Sequence, residues 1–383
     1  MICTRPPLRA SLLLILASAC AITPSLPETE TGLCGTLVIA GGGMSDHSAQ
    51  VLEEFLARCL PGPVGVIGAA SSNPDSSARR AADDINEIAA GQVALTLPFR
   101  TDAPDLAQDP RAVAMIEACG GLWFTGGSQA RILEALRPGG ADTPAWRACH
   151  ELLARGGVIG GSSAGAAMMS DPMIRRGSSI DALQHGVGPE GVELGQGMGF
   201  FPFGLCGQHF LQRGRFGRMA VALSHTNTRF GWGISEDSAL LVDLSTGWIE
   251  VIGQGGLTLI DATSLTTSPG RYDNLRLTLL GHGDRIHAPT GHPQPPPDST
   301  PLSPHGGPEQ EQVTNELFTS TALRQAIHHL AQSTATSALL TNGTTCALLR
   351  EDPQTHAWRP TADPQSNASS THRLRLDIYR VTY

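Results

Sequence analysis

Aromatic residues are scarce in this chain, and its N-terminal apolar run is short. Aromatic side chains make up 5% of the 383 residues, whereas glycine (44 residues) and proline (27 residues) are abundant. This balance favours a turn-rich α/β protein over a helical bundle. The apolar run at 12–17 is far shorter than the roughly 20 residues that a transmembrane helix needs. It therefore does not qualify as a membrane span.

An excess of positive charge and closely paired cysteines are also missing. Acidic residues outnumber basic ones 35 to 26, and the formal net charge of −9 argues against nucleic acid as a partner and favours a cationic substrate. The eight cysteines include no Cys-x-x-Cys pair, so a zinc site is not expected. Disulfides and buried free thiols both remain open for six of them, which are Cys34, Cys59, Cys119, Cys149, Cys206 and Cys346.

Motifs for metals and cofactors are absent too. His282, His287 and His292 are spaced by five residues in a Pro/Gly-rich stretch and match no helical metal-binding pair. The glycines at 41–43 lack the G-x-G-x-x-G pattern and a suitable acid about 20 residues later. They indicate a turn that lines a site. We therefore expect neither a metal nor an organic cofactor.

Residues 1–19 have the features of a bacterial lipoprotein signal peptide. Arg5 and Arg9 supply the positive region, the apolar run follows, and Leu-Ala-Ser-Ala-Cys at 16–20 resembles a lipobox. We expect cleavage before Cys20, lipidation of that cysteine and a tether over 20–33. The chain would then be exported and anchored on the periplasmic or cell-surface face of a bacterial membrane. A plain cleaved signal, which would leave a secreted protein, is the alternative.

Short apolar strands alternate with helices through the first half of the chain, which predicts βαβ units around a mainly parallel sheet. In such a sheet the active site lies beyond the carboxyl ends of the strands. Strands are predicted at 36–40, 64–69, 93–97, 122–124 and 158–160, and helices at 51–59, 76–89, 110–118, 129–136 and 144–154.

The second half of the chain is predicted to contain a boundary between the main domain and a smaller C-terminal part. Residues 34–287 are expected to form the main domain and 288–313, which contain three consecutive prolines, a linker. Residues 314–383 are expected to form a small C-terminal α+β extension. Its Asn342-Gly343 pair lies between two apolar runs and predicts a hairpin, and alternation over 374–378 predicts a last strand.

The pentapeptide 161–165 (Gly-Ser-Ser-Ala-Gly) follows a predicted buried strand and precedes a run of small residues. It therefore has the strand–turn–helix context of a G-x-S-x-G nucleophile elbow. Ser163 would lie at the tip of this sharp turn as the nucleophile. The start of the next helix would direct backbone N–H groups at a developing oxyanion.

A serine nucleophile needs a base and an orienting acid. Among 13 histidines, His209 stands out because three arginines follow it within nine residues. On a helix these arginines would spread over faces near the histidine and bind carboxylates. Glu236 is the candidate acid, since it precedes a clear strand, and the adjacent Asp237 is the alternative.

Four ordered motifs then resemble the cyanophycinase and peptidase E group, peptidase family S51. They are Phe-Thr-Gly-Gly-Ser-Gln at 124–129, the elbow, Gln-His-Phe-x-x-Arg-x-Arg-x-x-Arg at 208–218 and Gly-x-Gly-Ile-x-Glu at 231–236. The resemblance covers roughly 35–290. It implies a three-layer α/β sandwich with a mainly parallel central sheet, flavodoxin-like and related to class I glutamine amidotransferases. It also implies a Ser–His–Glu triad at Ser163, His209 and Glu236.

The resemblance further implies the substrate and the residues that bind it. The expected reaction is hydrolysis of cyanophycin, a poly-aspartate with arginine on each side-chain carboxyl, to β-aspartyl-arginine dipeptides through an acyl-enzyme. The N–H groups of Gly127 and Ala164 would hold the oxyanion. The side chains expected to grip the polymer are Gln129, Gln208, Arg213, Arg215 and Arg218.

Two departures from the family pattern affect the expected substrate. Gly207 and Ser128 stand where cyanophycinases commonly have aspartate, and an acid there would hold a guanidinium. A peptidase E-like enzyme acting on short aspartyl peptides is therefore one alternative, and a non-catalytic binding lipoprotein of the same fold is another. The expected partners are an Asp/Arg-rich polymer or peptide and, through the lipid, a membrane. Whether the chain forms a homodimer is left open.

Overall fold

A computed structural model describes part of the chain. The described residues are 32, 34–44, 49–89, 91, 93–302, 312–314 (backbone only), 317–333, 335–351, 353–359 and 370–380. The predicted signal peptide, the lipidation site Cys20 and all of the predicted tether except residue 32 lie outside them. No helix in these ranges is long and apolar enough to cross a membrane.

Helices and strands alternate over the first half of the chain, and strands dominate the second. The helices are α1 Ala49–Leu56, α2 Pro74–Ile88, α3 Pro110–Glu117, α4 Gln129–Leu136, α5 Pro144–Ala154, α6 Ala164–Ala167, α7 Ser179–His185, α8 Phe216–Thr226 and α9 Ala322–Gln332. The strands are β1 Thr36–Ala40, β2 Val64–Ile67, β3 Ala94–Leu97, β4 Gly121–Phe124, β5 Val158–Ser162, β6 Met173–Arg176, β7 Glu193–Gly195, β8 Leu205–Gly207, β9 Phe230–Ile234, β10 Ser238–Asp243, β11 Trp248–Gly253, β12 Leu257–Asp261, β13 Thr266–Ser268, β14 Arg271–Leu280, β15 Arg285–His287, β16 His292–Gln294, β17 Thr300–Pro301, β18 Gln312–Thr314, β19 Ser337–Asn342, β20 Thr345–Arg350, β21 His356–Arg359 and β22 Ser370–Arg380.

The first sheet has nine strands in the order β16-β15-β11-β10-β1-β5-β4-β2-β3. Strands β1, β5, β4, β2 and β3 run parallel to one another, and the other four continue the sheet antiparallel. All residues of β2 and β4 are buried, as expected for parallel strands that are covered on both faces. The predicted α/β fold with a parallel central sheet is confirmed.

Helices cover both faces of this sheet and make it the middle of three layers. Apolar residues of α1 and α2 pack on one face, and those of α3, α4 and α5 pack on the other. Three of the helices begin in the same way, with a proline directly after a capping residue. The side chains of Asn73, Asp109 and Thr143 each accept a backbone N–H of the first turn. This start satisfies donors that a helix leaves unpaired.

The second sheet joins the C-terminal strands to strands of the main domain. Its order is β18-β19-β20-β22-β14-β12-β9-β8. Strand β22 pairs with β14 on one side and β20 on the other, and the predicted hairpin is present as β19 and β20. The expected extension thus adds strands to a sheet that begins in the main domain, which the sequence did not predict. The boundary at residue 287 stays a prediction about domains.

A buried carboxylate ties the two parts together. Asp284 is fully buried, and its oxygens accept hydrogen bonds from Trp358 Nε1 (2.8 Å), Ser370 Oγ and the backbone N–H of Gly281 (2.8 Å). Burial raises the pKa of this carboxyl, while these donors favour its charged form. Within the predicted linker, the described residues include the short strands β16 and β17 and the first two residues of β18.

The six cysteines left open by the sequence are free thiols in the structure. Burial raises the pKa of Cys59 to about 12 and that of Cys119 to about 11. Thiols with such pKa values are poor nucleophiles, because the thiolate is the reactive form.

Candidate active site

Ser163 lies on a sharp turn between β5 and α6, with φ 55° and ψ −104°. This backbone conformation is uncommon for a residue with a side chain and marks a strained turn. The turn also brings main-chain segments close together: a Cβ built on Gly165 would lie 2.4 Å from the Phe124 carbonyl oxygen. One built on Gly161 would lie 2.6 Å from the carbonyl oxygen of Gly165. The two glycines therefore permit the elbow.

His209 follows β8 and meets Ser163 across the two sheets. Its Nε2 lies 2.7 Å from Ser163 Oγ. The backbone N–H of His209 donates to the carbonyl of Gly41 (2.8 Å), which anchors its turn to the end of β1. A Cβ on Gly42 would lie 2.4 Å from the imidazole Cε1. The glycines at 41–43 thus line the site, as the sequence predicted, and make room for the ring.

Glu236 completes a hydrogen-bonded series. Its Oε1 lies 2.6 Å from His209 Nδ1. Histidine and glutamate follow β8 and β9, which are parallel neighbours, so both leave the second sheet at the same edge. The adjacent Asp237, which was the alternative acid, instead donates its backbone N–H to the Gly42 carbonyl (3.1 Å).

The environment of His209 favours a neutral imidazole. Its side chain is 8% exposed, whereas that of Glu236 is 31% exposed. Burial lowers the pKa of His209, and the charges of Arg213 and Arg215 lower it further. The hydrogen bond that the ring donates to Glu236 opposes this shift. A neutral ring can accept the hydroxyl proton of serine at neutral pH.

The arginine run forms a cluster around Gln208. Arg215 Nη1 donates to the backbone carbonyl (2.6 Å) and to Oε1 (2.7 Å) of Gln208, and Arg218 Nη2 donates to the same Oε1 (3.3 Å). Burial, followed by the charge of Arg213, lowers the pKa of Arg215 to about 10. Burial also lowers the pKa of Arg218. Within the described ranges, none of these three arginines forms an ion pair with a carboxylate.

The expectation that the arginines share a helix is wrong. Helix α8 begins at Phe216, so only Arg218 lies on it. Gly214 has φ 51°, in the left-handed region that interrupts a helix. The turn places Arg213 in solvent and Arg215 half-buried, while Arg218 is buried.

Gln129 lies apart from the Gln208 cluster. It is buried at the start of α4, and its amide nitrogen donates to the carbonyls of Ile174 and Arg175, both at 2.7 Å. The adjacent Ser128 is exposed. Of the five side chains predicted to bind substrate, the structure thus brings together Gln208, Arg215 and Arg218, with Arg213 nearby. The contacts of all five with substrate remain predictions.

Of the two residues predicted to hold the oxyanion, Ala164 directly follows Ser163 and Gly127 belongs to a neighbouring loop. Ala164 is the first residue of α6. The loop that contains Gly127 passes beside the serine, since a Cβ on the preceding Gly126 would lie 4.0 Å from Ser163 Oγ. Gly127 itself has φ 143° and packs against the backbone at Ala70.

Gln212 contacts the site but was not singled out from the sequence. Its Oε1 accepts the backbone N–H of Glu236 (3.0 Å), and this bond links the turn of the histidine to the turn of the acid. Its place within the 208–218 motif was the available signal. A glutamine that bridges two turns has no distinctive spacing of its own.

Comparisons with known proteins show the family to which the chain belongs. The model of peptidase family S51 matches residues 85–247. The cyanophycinase of Nostoc sp. is 32% identical over 278 residues, which cover 69% of this chain and 87% of that protein. The cyanophycinase of Geminocystis herdmanii is 32% identical over 272 residues, covering 67% and 94%.

A solved structure supports the fold. The crystal structure of a peptidase from an acI-B1 Actinobacterium superposes with a TM-score of 0.51 at 18% identity, covering 67% of this chain and 98% of that one. The match to the family model and the similarity to the two cyanophycinases show that the chain belongs to peptidase family S51 and is a serine-type hydrolase.

Proposed function

We propose that this chain hydrolyses cyanophycin to β-aspartyl-arginine dipeptides, with Ser163 as the nucleophile. The observation that carries the proposal is the series Ser163 Oγ–His209 Nε2–Glu236 Oε1, joined by contacts of 2.7 and 2.6 Å. The similarity to cyanophycinases supports the choice of polymer.

The reaction has two halves. His209 Nε2 takes the proton of the Ser163 hydroxyl as the oxygen attacks an aspartyl carbonyl carbon. The imidazolium then gives this proton to the leaving amine, the peptide bond breaks, and an acyl-enzyme remains. Water, deprotonated by the same imidazole, hydrolyses the ester and restores the hydroxyl. Glu236 orients the ring and stabilises its cation.

The oxyanion formed in each half needs donors that are already in place. The N–H groups of Ala164 and Gly127 are suited to this role, because Ala164 begins the helix after the nucleophile and the loop of Gly127 lies beside it. Preorganised backbone donors of this kind are worth several kcal/mol in acyl transfer, about 3–4 for one donor.

Substrate binding uses the arginines beside His209. Arg215 and Arg218 are held by Gln208 and lack a carboxylate partner within the described ranges. Burying a cation without an anion is costly unless a ligand supplies one. Arg213 is exposed and would bind a carboxylate of the polymer directly. The half-buried Arg215 and the buried Arg218 would add positive charge beneath it.

Gly207 favours a second candidate, a peptidase E-like enzyme that cuts short aspartyl peptides. A Cβ on Gly207 would lie 2.8 Å from Met219 Cε and 3.2 Å from the Phe210 ring, so apolar atoms fill the space that an acid would need. A guanidinium of cyanophycin would find no carboxylate at this position. A non-catalytic binding lipoprotein is the third candidate and predicts a serine without reactivity.

The deciding experiment offers insoluble cyanophycin and Asp-Xaa dipeptides to the purified protein and identifies products by mass spectrometry. We expect clearing of the polymer and release of β-aspartyl-arginine. Cleavage of the dipeptides alone would favour the second candidate. No cleavage, together with no labelling of Ser163 by a serine-reactive phosphonate, would favour the third.

We also propose that the chain is exported and anchored through a lipid on Cys20, on the basis of the sequence at 16–20. Expression in a bacterial host with labelled palmitate tests this directly. We expect label in the membrane fraction for the native sequence and none for Cys20→Ala. Label in both proteins, or in neither, contradicts the proposal.

A further inference from the structure

Residues 317–324, which we call the brace, contact the turn that carries the proposed base and the segment that supports the turn of the proposed acid. We infer that the brace sets the position of His209 and Glu236 relative to Ser163, and that Phe318 and Arg324 are its positioning residues. The inference rests on the proposed roles of those three residues. It gives the C-terminal part of the chain a function in the reaction.

The first contact of the brace is with the turn of His209. This turn is closed by the N–H of Arg213, which donates to the His209 carbonyl (3.1 Å). It ends at Gly214, where an added Cβ would lie 2.5 Å from the carbonyl oxygen of Phe318. The ring of Phe318 stacks on that of Phe216, with centroids 5.3 Å apart and planes at 24°. A shift of the brace would therefore displace the turn that carries His209.

The second contact is with the segment that supports Glu236. Arg324 Nη2 donates to the carbonyl oxygen of Gly255. Gly255 lies directly against the acid's turn, because a Cβ on it would be 1.9 Å from the Glu236 carbonyl oxygen. The neighbouring Gln254 donates its N–H to the Asp237 carbonyl (2.8 Å). Arg324 thus holds the strand connection on which the turn of Glu236 rests.

The brace has its own support, which lets it serve as a fixed reference. The N–H of Leu317 donates to the carbonyl of Thr341 in β19 (3.0 Å). Its residues Ala322 and Leu323 are buried in the core of the second sheet. The bond between Gln212 and Glu236 links the two turns, so a displacement of one is passed to the other. Misplacement of a reacting group by about 1 Å can cost on the order of 10²-fold in rate.

Substitutions in the brace test this inference through kcat and KM for a soluble peptide substrate. We expect Arg324→Met and Phe318→Ala to lower kcat by roughly 10-fold while KM stays within about twofold, because the substrate contacts are untouched. Arg324→Lys keeps a donor for the single hydrogen bond and should recover most of the rate. Phe318→Leu, which keeps an apolar side chain without the ring, provides a second variant if Phe318→Ala folds poorly.

Leu330→Ala is the matched control, because Leu330 is a fully buried residue of the same helix α9 that is not part of the brace. It should lower the melting temperature without lowering kcat at 25 °C. An equal fall in kcat for this control would mean that the brace variants act through a general loss of stability, and it would overturn the inference. Unchanged kcat in both brace variants would overturn it as well.

Phosphonate labelling separates this outcome from failure of the proposed function. If the native protein is not labelled at Ser163, the proposed roles of the three residues are wrong. If the native protein is labelled, slower labelling of the brace variants with recovery in Arg324→Lys supports the inference. Labelling of the variants at the native rate contradicts it and leaves the proposed function intact.

Discussion

The two sheets contribute to the active site by different routes. The first sheet contributes Ser163 on a turn whose geometry depends on contacts between residues 161 and 165 and the neighbouring strand. The second contributes His209 and Glu236 from the ends of two adjacent parallel strands. That sheet also contains β20 and β22, which lie more than a hundred residues further along the chain. The proposed nucleophile thus depends on local structure, whereas the proposed base and acid depend on distant segments.

The largest expected fall in kcat comes from removing the Ser163 hydroxyl, which the first sheet contributes. Ser163→Ala should lower kcat by roughly 10⁴- to 10⁶-fold and leave the far-ultraviolet circular dichroism and melting temperature unchanged. His209→Ala, which removes the proposed base contributed by the second sheet, should lower kcat by a similar factor. Ser162→Ala, one residue earlier, is the control and should retain activity within a few-fold. Only a small loss of kcat in Ser163→Ala would remove the serine from its assigned role.

A change at the acid tests the second sheet alone. Glu236→Gln keeps the size of the side chain but removes the charge that orients and stabilises the imidazolium, so we expect kcat to fall by roughly 10²- to 10⁴-fold. Asp237→Asn is the neighbouring control, and its kcat should fall far less. If the two variants lose activity equally, the choice of Glu236 over Asp237 is wrong.

A change at Asp284 affects the stability of the second sheet. Asp284→Asn weakens the buried hydrogen bonds to Trp358 and Ser370 and should lower the free energy of unfolding by about 1–3 kcal/mol, as measured by urea titration. Because this site is separate from the elbow, kcat at 25 °C should change little. Trp358→Phe removes only one of these bonds and should cost less. A stability equal to that of the native protein in both variants would contradict this role for Asp284.

The smallest expected effect is a shift in pH dependence. His209 must be unprotonated to act as the proposed base. Burial and the charges of Arg213 and Arg215 lower its pKa below the ordinary 6.5, and Glu236 partly opposes this shift. Activity should therefore persist below pH 6.5 and fall as the pH drops through the lowered pKa. Arg213→Ala removes one lowering charge, so the fall in kcat/KM should begin at a higher pH.

Arg111→Ala is the control for this shift, since Arg111 is an exposed arginine on α3. Its pH profile should match that of the native protein. A profile of Arg213→Ala that moves to lower pH, or does not move, would mean that the charge of Arg213 does not act on His209.

The parallel part of the first sheet could be predicted from the sequence because its five strands are short, largely apolar runs that alternate with helices. The predicted strand 36–40 and the helices 129–136 and 144–154 agree with the structure residue for residue. The helix predicted at 76–89 begins two residues earlier, at Pro74, because Asn73 caps it. Ser163 was predictable for the same reason: its motif and structural context are contiguous in the chain.

The second sheet could not be predicted in this way, because its pairing joins distant segments. Nothing local in 271–280 shows that its partner is 370–380. Similarly, the residues alone left Glu236 and Asp237 as alternatives, and only the geometry of the turn distinguishes them. The arginine run was expected on one helix, over whose faces its members would spread near the histidine, whereas Gly214 interrupts the helix.

The position of β22 has a consequence for how the protein is made. This strand is the last in the described chain, yet it lies between β14 and β20. During synthesis the ribosome therefore releases the middle of the second sheet after both of its flanks. A nascent chain halted before residue 370 would leave β14 and β20 with unpaired edges, which are templates for aggregation. A protease or chaperone that acts on incomplete chains would therefore encounter the unpaired edges of β14 and β20 until β22 is synthesised.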